Sequence, residues 1–72
     1  MLKELEIRLK ILDEKSIKYD PNKPMKHTVE QSGSGYRLIS INKYGFEDIL
    51  YNAKTQTEII KYIDKLIGEK NG

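Results

Sequence analysis

The chain has no cysteine and no tryptophan, and its 72 residues include a single histidine, His27. Without cysteine, neither a disulfide nor a thiolate metal site can stabilise the fold. A single histidine also excludes a multi-histidine metal site within one chain. The sequence therefore predicts no metal and no other cofactor. We expect one small domain over residues 1–72 that gains its stability from helix packing or from association.

Long hydrophobic runs are also missing. No apolar segment approaches the roughly 20 residues that a membrane span requires. Acidic residues interrupt the N-terminal segment, where a signal peptide needs an apolar core. From the sequence we expect a cytoplasmic protein that makes no membrane contact.

Neither sign of charge dominates the chain. The 13 basic and 11 acidic residues give a formal net charge of +2, and the two signs are interspersed throughout. A protein that binds duplex DNA usually gathers Lys and Arg on one face or in one run, because neutralising phosphates drives its affinity. Nucleic acid is therefore the less favoured partner, although folding can still gather scattered lysines into a patch.

Residues 1–15 fit two patterns. Leucines recur at helical spacing between Leu2 and Leu12, but apolar and charged residues also alternate here as in a strand. We favour an N-terminal helix, because its residues are good helix formers and acid-before-base pairs such as Glu4 with Arg8 stand four residues apart. Ile7 and Ile11 then lie opposite the leucines. They contact either a second chain or a second element of the same small domain.

Residues 25–52 predict a three-stranded antiparallel β-meander. A connector with two prolines over residues 16–24 separates it from the N-terminal helix. A Ser-Gly loop over residues 32–35 joins the first two strands. Asn42 and Gly45 begin and end a type I turn with a left-handed glycine before the third strand.

Residues 55–68 predict a C-terminal amphipathic helix. Thr55 and Glu58 have the spacing of a capping box. Gly68 is placed to end the helix in the left-handed conformation that glycine adopts most easily. An isoleucine-rich stripe between Ile59 and Ile67 must cover another element, since so short a helix is marginal alone. The predicted fold is α+β, of type αβββα, with two helices packed on the meander.

The predicted turn also fixes a register for the hairpin, in which Ile39 faces Ile49 and Leu38 faces Leu50. Large apolar side chains then lie on both faces of the sheet. The two helices can cover one face, so the other is predicted to need a partner. In this register one face of the hairpin carries Arg37, Ile39, Ile41, Ile49 and Tyr51, and the opposite face carries Tyr36, Leu38 and Leu50.

No catalytic residue is predicted. His27 is the only side chain that titrates near neutral pH by default, and no nucleophile or acid stands close to it in the sequence. Glu47 and Asp48 are neighbours in a strand and point to opposite faces, so they cannot act as a pair. The loop at residues 32–35 joins two strands, whereas phosphate loops precede a helix. We therefore expect a protein that is not an enzyme.

The five tyrosines and one phenylalanine suit the edge of a core or an interface. We expect a small interaction protein that docks on a protein partner or on a second copy of itself. It would be an inhibitor, adaptor or regulator, including one encoded by a phage or another mobile element, or a structural subunit of a complex. The predicted partner-binding residues are Ile7, Ile11, Tyr36, Arg37, Ile39, Tyr44, Ile49 and Tyr51.

The alternative is a nucleic-acid-binding module that uses the sheet face, with Arg37 and Lys43 as the contacts. The segment from Gly35 through the hairpin, followed by Lys54-Thr55 and a helix to Leu66, resembles the arm-binding domains of phage-type integrases. The resemblance covers about half of the chain and implies a three-stranded sheet that lies in the DNA major groove. This chain departs from that family in its last strand, which carries acidic rather than basic residues.

Overall fold

A computed structural model describes residues 2–69 of the chain, with the backbone alone described at Glu69. The elements are α1 Lys3–Tyr19, β1 Lys26–Ser32, β2 Gly35–Ile41, β3 Glu47–Ala53 and α2 Gln56–Glu69. The three strands form one antiparallel sheet in the order β1-β2-β3, so β2 is central. This confirms the predicted αβββα arrangement.

The N-terminal segment is a helix, but α1 runs to Tyr19 instead of ending at residue 15. Residues 16–19 were predicted to belong to the connector, and that prediction is wrong. The helix ends where proline chemistry requires it. Asp20 precedes Pro21, and a residue before proline is pushed out of the helical region. Asp20 accordingly has φ −148° and ψ 97°.

The start of α2 follows the predicted capping chemistry. The backbone N–H of Glu58 donates to Thr55 Oγ1 at 3.2 Å. The Glu58 carboxylate accepts from the backbone N–H of Lys54 at 3.3 Å. In a capping box it would accept from the N–H of the cap residue, Thr55, so this bond is made one residue earlier in the chain. Gly68 does not stop the helix: α2 continues to Glu69, and Gly68 has no positive φ.

The core lies between the two helices and one face of the sheet. Each fully buried leucine or isoleucine contributes about 1.5–3 kcal/mol relative to an exposed one, so these few side chains dominate the stability. The buried cluster consists of Leu5, Leu9 and Leu12 from α1, Leu38 from β2, and Ile59, Ile60 and Ile63 from α2.

One ion pair also joins the two helices. Arg8 Nε of α1 donates to Asp64 Oδ1 of α2 at 2.7 Å. This hydrogen bond raises the pKa of Arg8 above its ordinary value. Arg8 also donates to the backbone carbonyl of Glu4, so the expected pairing of its side chain with the Glu4 carboxylate is replaced by these two contacts.

The β2–β3 turn has the predicted form. Asn42 donates its backbone N–H to the carbonyl of Phe46 and accepts the N–H of Gly45, both at 3.0 Å. The Asn42 side chain accepts two further backbone N–H groups, from Tyr44 and Phe46. Gly45 has φ 87°, a left-handed conformation that favours glycine.

A β-bulge in β3 changes the register beyond the turn. Ile39 pairs with Ile49, as predicted, but the predicted pairing of Leu38 with Leu50 is wrong, because Leu38 pairs with Tyr51. Leu50 is the extra residue of the bulge and has no partner in the register. One inserted residue moves every later side chain to the other face, so Tyr51 lies on the same face as Leu38 instead of Ile39.

Candidate functional site

The two faces of the sheet differ in what covers them. Both helices pack on the face that carries Leu38, and we call the opposite face the open face because neither helix covers it. Directly paired residues share a face, so the registers assign the open face in three rows across the sheet. The turn-side row is Lys26, Ile41 and Glu47, the middle row is Thr28, Ile39 and Ile49, and the far row is Glu30, Arg37 and Asn52.

The apolar side chains of the open face are Ile39 and Ile49 in the middle row and Ile41 in the turn-side row. Ile39 is only 2% exposed, because it lies on the central strand between neighbours in both directions. Ile49, its partner on β3, is 54% exposed. Leu50 in the bulge is 38% exposed and does not belong to the core cluster. Phe46, which precedes β3, is also exposed. Ile49, Leu50 and Phe46 thus leave large apolar groups in contact with solvent.

The charges on the open face balance. Its turn-side row has Lys26 on β1 and Glu47 on β3, and its far row has Glu30 and Arg37. The Arg37 guanidinium donates through Nη2 to the hydroxyl of Ser32, while its buried Nε has no hydrogen-bond partner. With two charges of each sign, the face has no net positive potential to attract phosphate groups.

The two residues proposed for nucleic-acid contact are not brought together. Arg37 lies in the far row, and Lys43 lies in the turn at the opposite end of β2. The Lys43 ammonium is 5.2 Å from the centre of the Tyr44 ring, a cation–π contact on the surface. The turn does place an exposed aromatic side chain beside a lysine, but at only one position.

The other predicted partner-binding residues lie away from the open face. Tyr36 and Tyr51 are partly buried on the face that the helices cover. The Tyr51 ring stacks on Tyr62 of α2, with centroids 4.3 Å apart and planes 7° apart, so it completes the packing between β3 and α2. Ile7 and Ile11 are on α1, where Ile7 is 53% exposed and Ile11 is half-buried.

A contact that the sequence did not indicate joins α1 to β1. Asp13 Oδ1 accepts the backbone N–H of His27 and also lies against His27 Nδ1, both at 2.7 Å. The His27 side chain is 10% exposed and that of Asp13 is 33% exposed. The two residues are 14 positions apart, and no spacing pattern links them. The pair therefore ties β1 to α1 through one carboxylate oxygen.

A shallow cleft of about 490 Å³ lies beside this pair. It is lined by Lys3, Glu6, Ile7, Lys10 and the Asp13–His27 pair, with Leu9 at its base. Among residues 2–69, no group of three or more metal-ligating side chains is gathered, in this cleft or elsewhere. The cleft therefore combines side chains of both charges with two apolar side chains, Ile7 and Leu9.

Comparisons with known proteins give no family for the chain. No family model, no curated protein and no solved structure matches it. Within the part of the chain that the structure describes, neither helix has the length and apolar character needed to cross a bilayer. The open face and its exposed Ile49 are therefore the basis for assigning a function.

Proposed function

We propose that this protein is a non-enzymatic interaction module that docks on protein through the open face of its sheet. The observation that carries the proposal is the exposure of Ile49, which pairs with Ile39 and lies in the row next to Ile41 on a face that neither helix covers. Contiguous apolar patches of this kind on a small domain usually mark an interaction site. Ile39 gives the patch a rigid base, since it is fixed on the central strand.

The charge pattern favours protein over nucleic acid as the partner. Glu30 and Glu47 lie on the open face with its two basic residues, and Asp48 follows in the same strand. Carboxylates at these positions repel a phosphate backbone, whereas a protein surface can meet both signs. An apolar centre with a mixed-charge rim is the usual composition of a protein interface.

Ile49→Asp tests the proposal. Ile49 is more than half exposed, so a charge there should leave the fold intact and abolish docking. Ile39→Asp is unsuitable, because Ile39 is buried and an unpaired carboxylate at that position should unfold the chain. The assay is recovery of bound protein by the tagged chain from its native host, together with self-association measured by sedimentation.

Ile7→Asp is the matched control, because Ile7 on α1 has nearly the same exposure, 53% against 54%. Loss of a bound protein, or of self-association, in Ile49→Asp but not in Ile7→Asp supports the open face. Equal binding by both variants and the unaltered chain overturns it. Retention of DNA that weakens steeply with added salt, and that Arg37→Ala removes, would instead support the nucleic-acid alternative.

A further inference from the structure

We propose that the open face is a symmetric interface at which a second copy of this chain docks, sheet against sheet. This inference rests on the proposed function and names the partner. The observation that carries it is the placement of opposite charges at one level of the sheet. In the turn-side row, Lys26 on β1 and Glu47 on β3 stand on either side of Ile41 on the central strand.

A two-fold axis along β2 makes this row complementary to itself. Rotation about such an axis places β1 of one copy over β3 of the other and leaves each row level with its own counterpart. Lys26 then faces Glu47 of the second copy, and Glu47 faces Lys26, while Ile41 meets Ile41 between them. Two equivalent ion pairs would form from one arrangement, as an isologous interface requires.

The middle row fits the same arrangement. Ile39 meets its own counterpart on the axis, and Ile49 of each copy lies over Thr28 of the other. This contact would bury Ile49, whose exposure is otherwise unexplained in this fold. Packed sheets stand about 10 Å apart, a gap that extended lysine and glutamate side chains reach across at its rim.

An axis that runs across the strands fits less well. If it passed through the middle row, the turn-side row of one copy would cover the far row of the other. Lys26 would then still meet a carboxylate, that of Glu30, but Glu47 would lie over Asn52. The guanidinium of Arg37 would be placed over Ile41, which removes a charge from water without a partner. With the axis along β2, the two Arg37 side chains lie at the far end of the contact, where twisted sheets diverge and water reaches them.

Features of both outer strands hinder edge-to-edge pairing of two sheets. On β3 the bulge at Leu50 interrupts the regular spacing of backbone groups, and Glu47 and Asp48 place acidic side chains on the same strand. On β1 the outward N–H of His27 is already bonded to Asp13 of α1. The face is therefore the surface that we assign to a second sheet.

The dimensions of the sheet set the strength expected of this dimer. Three strands of seven residues each cover about 23 by 14 Å, or roughly 320 Å² in projection. A standard specific interface buries about 800 Å² on each partner. The contact is thus small, and we expect a dissociation constant in the micromolar range or above, on the order of 1 µM to 1 mM.

Sedimentation at low salt over the range ~1 µM to ~1 mM tests the proposal. The unaltered chain should pass from the mass of one chain to that of two. Lys26→Glu and Glu47→Lys should each weaken association about tenfold or more. Each variant replaces both ion pairs of the dimer with contacts between like charges. The double variant, Lys26→Glu with Glu47→Lys, exchanges the signs and should restore association to within about threefold of the unaltered chain.

Lys65→Glu is the control, because it makes the same change in charge at an exposed position on α2 and should leave association unaltered. A chain that stays monomeric over the whole range overturns the dimer, as does a double variant no better than the single ones. The proposed function fails separately. A monomeric chain that still captures another protein in an Ile49-dependent way overturns the dimer and keeps the docking face.

Discussion

Asp13 is the residue whose side chain joins α1 to the sheet most directly. One carboxylate oxygen lies 2.7 Å from the backbone nitrogen of His27 and 2.7 Å from its ring Nδ1. Nearby, the hydroxyl of Ser16 donates to the carbonyl of Met25 and accepts from the Met25 N–H. These polar contacts fix the start of β1 beneath the helix.

Replacing Asp13 with alanine should lower the free energy of unfolding by about 1–3 kcal/mol, because the N–H of His27 loses the carboxylate oxygen to which it donates. Asp13→Asn keeps an acceptor oxygen and should lose less. Urea denaturation measures both values. Glu14→Ala, at an exposed neighbouring position, is the control and should cost much less. Equal losses in all three variants would show that the contact with His27 does not stabilise the fold.

At the scale of the elements, Gly68 and Gly35 differ in whether the fold has room for a side chain. Gly68 lies within α2 without a positive φ, and a Cβ there would meet no atom within 4 Å. A Cβ on Gly35, at the start of β2, would lie 2.5 Å from the carbonyl oxygen of Ala53. The central strand can approach β3 this closely only because Gly35 has no side chain.

Gly68→Ala should therefore stabilise the chain by up to about 1 kcal/mol, with less near the helix end, since alanine is the better helix former. Gly35→Ala should destabilise it, because a backbone atom must shift to admit the methyl group. Thermal unfolding followed by circular dichroism measures both changes. A lower transition temperature for Gly68→Ala would contradict its assignment to a helical conformation.

Elements with strong local chemistry could be predicted from the sequence. The turn from Asn42 to Gly45, the Thr55 cap and the helical leucines each depend on residues within a few positions of one another. The bulge at Leu50 could not be predicted, because nothing in that residue or its neighbours distinguishes it from an ordinary strand position. The predicted face of Tyr51 was wrong for the same reason. A register error of one residue assigns every later side chain of the strand to the opposite face of the sheet.

The candidate site was predictable only in part. Ile39 and Ile49 share a face because the turn sets their pairing, and the turn was read correctly. The Asp13–His27 contact depends on how α1 lies over β1, which no local pattern specifies. The C-terminal end of α1 was predicted at residue 15, but the helix continues to Tyr19. Pro21 ends it by restricting the residue before it, and nothing nearer to Ser16 does so.

At the scale of the whole molecule, the core is assembled from distant parts of the chain. Leu5, Leu9 and Leu12 near the N-terminus pack with Ile59, Ile60 and Ile63 near the other end. A domain of about 60 residues buries only about 60% of the surface that its unfolded chain exposes, so no element is dispensable. The sheet alone cannot bury Leu38.

A chain shortened to residues 21–72 should therefore fail to fold. It keeps all three strands and α2, but it loses the three buried leucines of α1 and the Arg8–Asp64 ion pair. We expect no cooperative thermal transition and little dispersion of amide proton signals. A sharp transition in the shortened chain would show that the strands and α2 fold without α1.

The bulge in β3 has a consequence for how this outer strand can meet another chain. The segment Ile49-Leu50-Tyr51 is apolar and lies on an outer strand, where a straight, exposed edge can pair with a strand of another molecule. The inserted residue bends the strand and interrupts the regular spacing of its backbone N–H and C=O groups. The apolar residues of β3 can therefore stay exposed on a strand whose backbone is a poor template for a further strand.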